Sequence, residues 1–297
     1  MEKPVEPAKE DCCNSGCNPC IFDIYERQLT KYKKHLESGQ SVNDNILQKN
    51  GISQLKYTIF NVVKNLPACH LHNCITFKNV SEGSNKVWWK PGDHFLYKFN
   101  EDNIACTRAY TPIEAKNEQT EGDFSIIVKK YEHGLVSTHL CNLNEGDTTL
   151  WRGPYGHYEH EPNKFNRIIM IAQGTGISPF ITIINKILNN EDDMTKIILF
   201  YCCKCDNSIL FRDELYAYKS YWNFKYNIYL SSTSTTNFVC RYQEPINKHK
   251  LMIEYLYNLK PFVKSDQILI CGAPIFNESY KTYLKSEVPD IDNIVLF

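Results

Sequence analysis

No stretch of the sequence approaches the roughly eighteen apolar residues expected of a bilayer-spanning helix. The longest clean apolar runs, such as Ile168-Ile169-Met170-Ile171-Ala172, have the length of a strand. Net charge is almost absent too, with 33 Lys and Arg against 34 Asp and Glu. That balance argues against a general binder of nucleic acid or of membrane surfaces. The opening Met1-Glu2-Lys3-Pro4 has no apolar signal region, and Glu2 stands where N-myristoylation calls for glycine. There is no internal repeat and no low-complexity tract. The expectation is a soluble, intracellular, most simply cytoplasmic protein, acting as a monomer without an integral membrane segment.

What remains is ordinary globular material. The 297 residues, 42% hydrophobic and 23% charged, fit two domains and a short extension. Thirteen cysteines do not imply a disulfide framework in a chain this long and this well supplied with apolar residues. Four of them crowd the N-terminus as Cys12, Cys13, Cys17 and Cys20; several others sit in apolar runs, where a free thiol packs as a small hydrophobe.

Residues 1–50 read as a Cys-rich module and a polar linker. Within it, Ile24, Tyr25, Leu29, Tyr32 and Leu36 recur at helical spacing, and Gly39 is the expected stop. Residues 51–163 are short β-rich runs, at 57–63, 74–77, 94–99 and 124–128, punctuated by Pro67, Gly92, Gly122, Gly134 and Gly146. Many short strands without long helices point to a barrel or sandwich. Over residues 164–297, apolar strands at 167–172, 196–201, 225–230 and 267–271 alternate with helical stretches. Phe180, Ile183, Ile184, Ile187 and Leu188 form the clearest stripe. Strand–helix alternation implies a parallel sheet with helices on its faces.

Five local patterns carry chemistry. After the strand at 168–172 comes Gln173-Gly174-Thr175-Gly176-Ile177-Ser178-Pro179. It reads as a glycine turn into a helix with Ser178 as N-cap and Pro179 at the first helical position, a place suited to an anion. Arg108-Ala109-Tyr110-Thr111, as a strand, puts Arg108 and Tyr110 on one face, a guanidinium beside a flat ring. His133-Gly134-Leu135-Val136-Ser137 is a second glycine turn into a helix N-terminus. Arg152-Gly153-Pro154-Tyr155-Gly156 reads as a loop closing the β-rich segment, and Cys271-Gly272-Ala273-Pro274 caps an apolar strand. Taken singly, each pattern also suits a plain turn or an exposed strand.

Their order is more informative. The chain resembles the ferredoxin-reductase-like flavoproteins, and among them the NADH–cytochrome b5 reductases. It matches the family order at Arg108 to Thr111, Ile127 to Lys129, Gly134 to Ser137, Arg152 to Gly156, Gly174 to Pro179, Cys271 to Pro274 and the final Phe297. The resemblance implies a β-barrel FAD-binding domain followed by an α/β Rossmann-like nicotinamide-binding domain. It also implies a reductase passing hydride from NADH to FAD and single electrons to a haem protein such as cytochrome b5. Arg108 is then expected at the FAD pyrophosphate and Tyr110 on the flavin or its ribityl chain. Thr111 belongs near flavin N5, with Ile127 and Lys129 along the FAD. Leu135, Val136 and Ser137 are expected at the pyrophosphate. Thr175 and Ser178 belong to the loop at the junction of the flavin and nicotinamide sites, Gly174, Gly176, Gly272 and Pro274 are also expected to bind cofactor, and Cys271 stands beside the nicotinamide; Thr111 and Cys271 stand nearest the chemistry. No metal site is assigned.

The sequence departs from the family at Gln173, where a glycine is usual, and at Leu135, where a lysine is usual. The strand ending at Leu230 leads into the Ser/Thr run 231–236 where NADH-selective members carry an acid, so NADPH stays open, with Arg241 the nearest following arginine. The N-terminal cysteines resemble a short oxidoreductase-like module; they suit either a metal or a reduced or disulfide-bonded cap. Two other functions remain: an NADPH-dependent ferric or quinone reductase, and a flavin-free interaction protein on a degenerate scaffold.

Overall fold

A computed structural model describes residues 3–12, 20–38, 50–81, 85–101, 104–115, 122–232 and 241–297. The helix stop expected at Gly39, most of the linker, Cys13, Cys17 and Thr233 to Thr236 lie outside the described residues. The chain divides into two compact units, residues 1–66 with 73–157, and residues 67–72 with 158–297.

The first unit is an antiparallel barrel. Its strands are β1 (Thr58–Cys69), β2 (His72–Asn79), β3 (His94–Glu101), β4 (Ile104–Tyr110), β5 (Phe124–Lys129) and β6 (Thr148–Tyr155). They lie in the order β4-β3-β6-β1-β2-β5, and a bridge between Ile113 and Ser125 joins the chain just past β4 to β5, bringing the two ends of the order together. Alternation decides what faces inward. On β3, Phe95, Tyr97 and Phe99 enter the core beside Phe60, Phe77, Phe124 and Trp151, while Leu96 belongs to a separate cluster. The rings meet at 4.9 Å for Phe95–Phe124 and 5.0 Å for Phe77–Trp151. Edge-to-face pairs of this kind add about 0.5–1.5 kcal/mol each beyond the area they bury.

The loop expected at 152–156 is instead largely strand, since β6 runs to Tyr155. Gly153 makes this possible. Its φ of +154° and the contact a Cβ would make with the Phe95 ring, at 2.8 Å, leave room for glycine alone. The β3–β6 register shifts between His94 and Leu96, and such an irregularity admits a proline into a ladder.

Two helices belong to this unit, α1 (Ile21–Ser38) and α2 (Leu135–Asn142). Helix α1 starts at Ile21, before Ile24, the first residue of the apolar periodicity. Asp23 explains the early start, because its carboxylate accepts the Cys20 N–H at 3.1 Å and so satisfies a donor at the helix entrance.

The second unit is a parallel sheet of β7 (Arg167–Gln173), β8 (Lys196–Cys203), β9 (Phe224–Leu230), β10 (Ile246–Asn247), β11 (Asp266–Cys271) and β12 (Ile294–Leu296). It also contains helices α3 (Ser178–Leu188), α4 (Arg212–Tyr218) and α5 (Pro274–Lys285). The strand order β10-β9-β8-β7-β11-β12 reverses direction between β7 and β11. Sheets of this type bind ligands at the carboxyl ends of the strands flanking such a reversal. Strands buried on both faces read as unbroken apolar runs, and Ile168 through Ala172 are all buried. On α3 the expected stripe, Phe180, Ile183, Ile184, Ile187 and Leu188, faces inward. Ser178 is not the N-cap. A short 3-10 turn, Gly174–Ile177, intervenes, and Ser178 is the first residue of α3, with Pro179 after it.

Candidate cofactor sites

In the first unit, the β3–β4 register opposes Phe95 to Tyr110 and Tyr97 to Arg108, so Arg108 and Tyr110 share a face. The Tyr110 ring lies 6.0 Å from Trp151 and 6.5 Å from Tyr97, fixed as a half-buried flat platform. Burial pushes its hydroxyl well above the usual phenol range, so it stays protonated. Arg108 is exposed, and its guanidinium donates to the Thr107 carbonyl at 2.7 Å. Thr111 follows half-buried, just before the bridge to β5.

On β5, Ile126 and Val128 enter the barrel core, which turns Ile127 and Lys129 to the other face. Lys129 Nζ lies 5.0 Å from the centre of the Tyr131 ring. The chain then turns through Gly134 into α2. The Ser137 hydroxyl locks this turn, donating to the Gly134 carbonyl at 3.1 Å and accepting from the Tyr131 N–H at 3.3 Å. A Cβ on residue 134 would lie 2.3 Å from the Ser137 oxygen, which is why glycine stands there. Gly134 offers α2 no side-chain cap. The amides of Leu135, Val136 and Ser137 therefore point out of a helix end that carries partial positive charge. Leu135 is exposed, while Val136 and Ser137 are buried. Tyr110 packs against the hydrophobic cluster that holds Val136 and Leu140 of α2. Platform, guanidinium and open helix end thus belong to one unit. That donor set suits a diphosphate carrying a flat aromatic system.

In the second unit, the glycine turn after β7 and the Cys271–Pro274 segment after β11 occupy the strand ends at the reversal. They touch through backbone. A Cβ on Gly176 would lie 2.3 Å from the Cys271 carbonyl oxygen and 3.1 Å from its Sγ. Gly174 has φ +56°, with open space around it. The Gln173 side chain accepts the Ala273 N–H at 3.1 Å, and a Cβ on Gly272 would lie 2.8 Å from the Gln173 Cβ. Gln173, visible in the sequence only as a departure, is therefore the tie between the two turns. Burial pushes the Cys271 thiol up to about 12, so it is a neutral thiol at ordinary pH. Ser178 Oγ is buried, on a residue only 4% exposed, with no hydrogen-bond partner among the described residues. Thr175 is half-buried in the same turn, and Pro274 is exposed at the start of α5. Phe297 packs its ring 5.6 Å from Phe180, and its N–H donates to the Ile270 carbonyl at 3.0 Å. An orphaned hydroxyl, an open glycine at 174 and an uncharged thiol at a reversal point fit an amide-bearing ring.

Ser231 and Ser232 follow β9, exposed, their N–H groups donating to the Cys203 and Lys204 carbonyls. Arg241 opens a turn whose Glu244 carboxylate accepts the Arg241 N–H at 3.1 Å and pairs with Arg212. Burial pushes the Cys202 thiol up to about 12, and Cys203 is buried at the end of β8. His94 is likewise structural; burial first, then the nearby His157, lowers it to about 4 and keeps it neutral. His72 Nδ1 is 2.7 Å from the His70 carbonyl oxygen. Of the N-terminal cysteines, Cys12 and Cys20 are described, both as free thiols. No group of three or more His, Cys, Asp or Glu among the described residues is arranged to hold a metal. No helix among them is long and apolar enough to cross a membrane.

Comparison with known proteins gives each unit a family. The oxidoreductase FAD-binding domain family matches residues 63–160 and the oxidoreductase NAD-binding domain family residues 170–282. The N-terminal family of oxidoreductase-like proteins matches residues 1–41. A mouse protein named NADH-cytochrome b5 reductase-like is 30% identical, over 99% of this chain and 95% of its own length. Its human counterpart is 30% identical over 93% of this chain and 88% of its own. Among solved structures, the cytochrome b5 reductase domain of Ulva prolifera nitrate reductase superposes with a TM-score of 0.67. At 23% identity, with 84% of this chain and all of that one covered, it shows the shared ferredoxin-reductase-like fold. An antiparallel FAD-binding barrel, a parallel NAD-binding sheet and a relative matched along nearly the whole chain lead to one assignment: the chain belongs to the NADH-cytochrome b5 reductase-like family of FAD- and NAD-binding oxidoreductases.

Proposed function

We propose that this reductase passes electrons from NADH through FAD to a haem acceptor such as cytochrome b5. The observation that carries the reading is the grouping of Arg108, Tyr110 and the uncapped α2 end in one unit. Residues 51–163 would hold FAD and residues 164–297 the nicotinamide. Arg108 would pair with the pyrophosphate, and the Leu135, Val136 and Ser137 amides would cradle it. Tyr110 would support the flavin or its ribityl chain, Thr111 would stand near N5, and Ile127 and Lys129 would line the cofactor. At the other site Gly174, Gly176 and Gly272 would let the nicotinamide approach the backbone, and Ser178 Oγ would donate to it. Thr175, Cys271 and Pro274 would fix its orientation. When bound, FAD supplies the redox chemistry, taking a hydride and releasing electrons singly. The protein aligns the partners and excludes water.

NADH is the preferred donor, by less than about a hundredfold over NADPH, or ~2.7 kcal/mol. Ser231 and Ser232 bring hydroxyls rather than a carboxylate to the end of β9, so neither repels a 2′-phosphate. Purified protein should be yellow with bound FAD, and should reduce cytochrome b5 on addition of NADH. Colourless protein that fails to take up added FAD sinks the whole reading. Flavoprotein that reduces ferricyanide but no b-type haem protein sinks the acceptor alone. A strong NADPH preference that collapses in Arg241→Ala reverses the choice of nicotinamide.

A further inference from the structure

Strand β4 carries Arg108 and Tyr110, yet it stands at the end of the strand order and pairs along its length with β3 alone. Its Thr107 and Ala109 face the opposite side, together with Lys98 and Leu96 of β3. The N-terminal segment covers that reverse face. Asp11, only 6% exposed, ends a 3-10 turn (Lys9–Asp11). Its Oδ1 lies 3.1 Å from Lys98 Nζ and accepts the Tyr57 hydroxyl at 3.1 Å. The same hydroxyl stands 3.3 Å from Thr107 Oγ1, on the residue immediately before Arg108. Asp11 Oδ2 accepts the Ala8 N–H at 3.0 Å, so both carboxylate oxygens have partners. Lys98 Nζ also sits over the Tyr57 ring at 5.0 Å. Ten residues further on, Ile21 is buried with Leu96 and Tyr155, and Phe22, Ile24 and Ala109 pack against them.

We propose that Asp11 is a positioning residue for the flavin, setting from behind β4 the aim of Arg108 and Tyr110. The inference rests on the FAD roles given to those two residues above. Paired along one edge, β4 is held less firmly than an inner strand, and contacts on its back add to what fixes its orientation. Asp11 does so through a buried carboxylate that ties β3, through Lys98, to β4, through Tyr57 and Thr107. Removing it leaves Lys98 without its counter-charge and lets the flavin-facing side rotate. The N-terminal segment thereby contributes to the cofactor site from the reverse face of β4.

The test is FAD titration of the full-length apoprotein by flavin fluorescence, with visible circular dichroism of the bound flavin and the melting temperature of the apoprotein. Asp11→Ala should weaken FAD binding about tenfold, ~1.4 kcal/mol, and change the flavin dichroism. Asp11→Glu should recover most of the affinity. Tyr57→Phe, which keeps the ring and removes the hydroxyl that joins Asp11 to Thr107, should weaken binding about threefold, and it serves should Asp11→Ala not fold. Variants that melt earlier yet bind FAD within about twofold of wild type, with unchanged dichroism, overturn the proposal and leave Asp11 a stabilising contact. Wild-type protein that holds no FAD overturns this inference together with the functional reading.

Discussion

The two units present opposite kinds of surface at their candidate sites. The first displays side chains, with Arg108, Tyr110 and Lys129 projecting from strand faces beside one open helix end. The second displays backbone, with two turns at a strand-order reversal packed so closely that glycine is required between them. A site of side chains is damaged by taking atoms away, and a site of backbone by adding them. The larger effects below follow from that contrast.

The sharpest way to break it is Gly176→Val. The new Cβ would meet the carbonyl oxygen and carbon of Cys271, at 2.3 and 2.8 Å, on a core strand that cannot yield. Overpacking of this kind costs about 1–3 kcal/mol or more. NADH-driven flavin reduction in stopped-flow should fall about a hundredfold, ~2.7 kcal/mol, with FAD still bound. A wild-type rate would show that the turn is no cofactor site. Gly174→Ala sharpens the point. Its Cβ meets nothing, and only the left-handed backbone opposes it, at a cost of about 1–2 kcal/mol.

Arg108→Ala is the matching experiment on the first unit. Losing a charge-assisted contact worth about 1.5–3 kcal/mol should weaken FAD about ten- to a hundredfold and leave nicotinamide affinity alone. Unchanged FAD titration would remove Arg108 from the site. Cys271→Ser should act more gently, slowing flavin reduction by no more than about tenfold, ~1.4 kcal/mol, with FAD retained. Because burial holds that thiol near 12, alkylating reagents should label it slowly at neutral pH. Mass spectrometry that finds a covalent adduct at Cys271 during turnover would make it a nucleophile after all.

The smallest effect concerns acid. Asp193 is buried against His160, with 2.5 Å between Nε2 and Oδ2, and accepts the Thr195 N–H at 3.1 Å. Burial pushes its carboxyl up, but the bonds from Thr195 and His160 outweigh that, and the net shift is downward. A carboxyl lower in the folded than in the unfolded state stabilises the fold above about pH 4, its unfolded value, and the gain is lost as pH falls through the folded one. Denaturant titrations at falling pH should show the second unit losing stability there, and Asp193→Asn should flatten that acid limb. An identical pH dependence in the variant would mean that Asp193 is not the sensor.

The sequence revealed what local chemistry controls. Apolar runs marked the strands, a helical stripe marked α3, and Gly134 and Gly176 marked close turns. Arg152 to Tyr155 misled because glycine and proline ordinarily signal a loop, and only the Phe95 ring opposite explains their place in a strand. Ser178 looked like a cap because the 3-10 turn before it leaves no local trace. Asp11 was invisible for a different reason. Its partners lie 46 and 87 positions away, at Tyr57 and Lys98, and no spacing rule links them.

The indoles give this molecule its own optics. Of its four tryptophans, Trp88, Trp89 and Trp151 fall in the first unit and Trp222 in the second. Trp151 is wholly enclosed by Phe77, Tyr97, Tyr110 and Phe124, whereas Trp222 is 63% exposed. Trp151 should emit toward the blue, and the exposed Trp222 and Trp88 toward the red, so the blue edge of one emission spectrum reports on the first unit. Because Trp151 stands behind the Tyr110 ring, light absorbed there should pass to a flavin seated on that ring and vanish from the blue band. Intrinsic fluorescence alone would then follow cofactor loss and barrel opening as they happen, without any added probe.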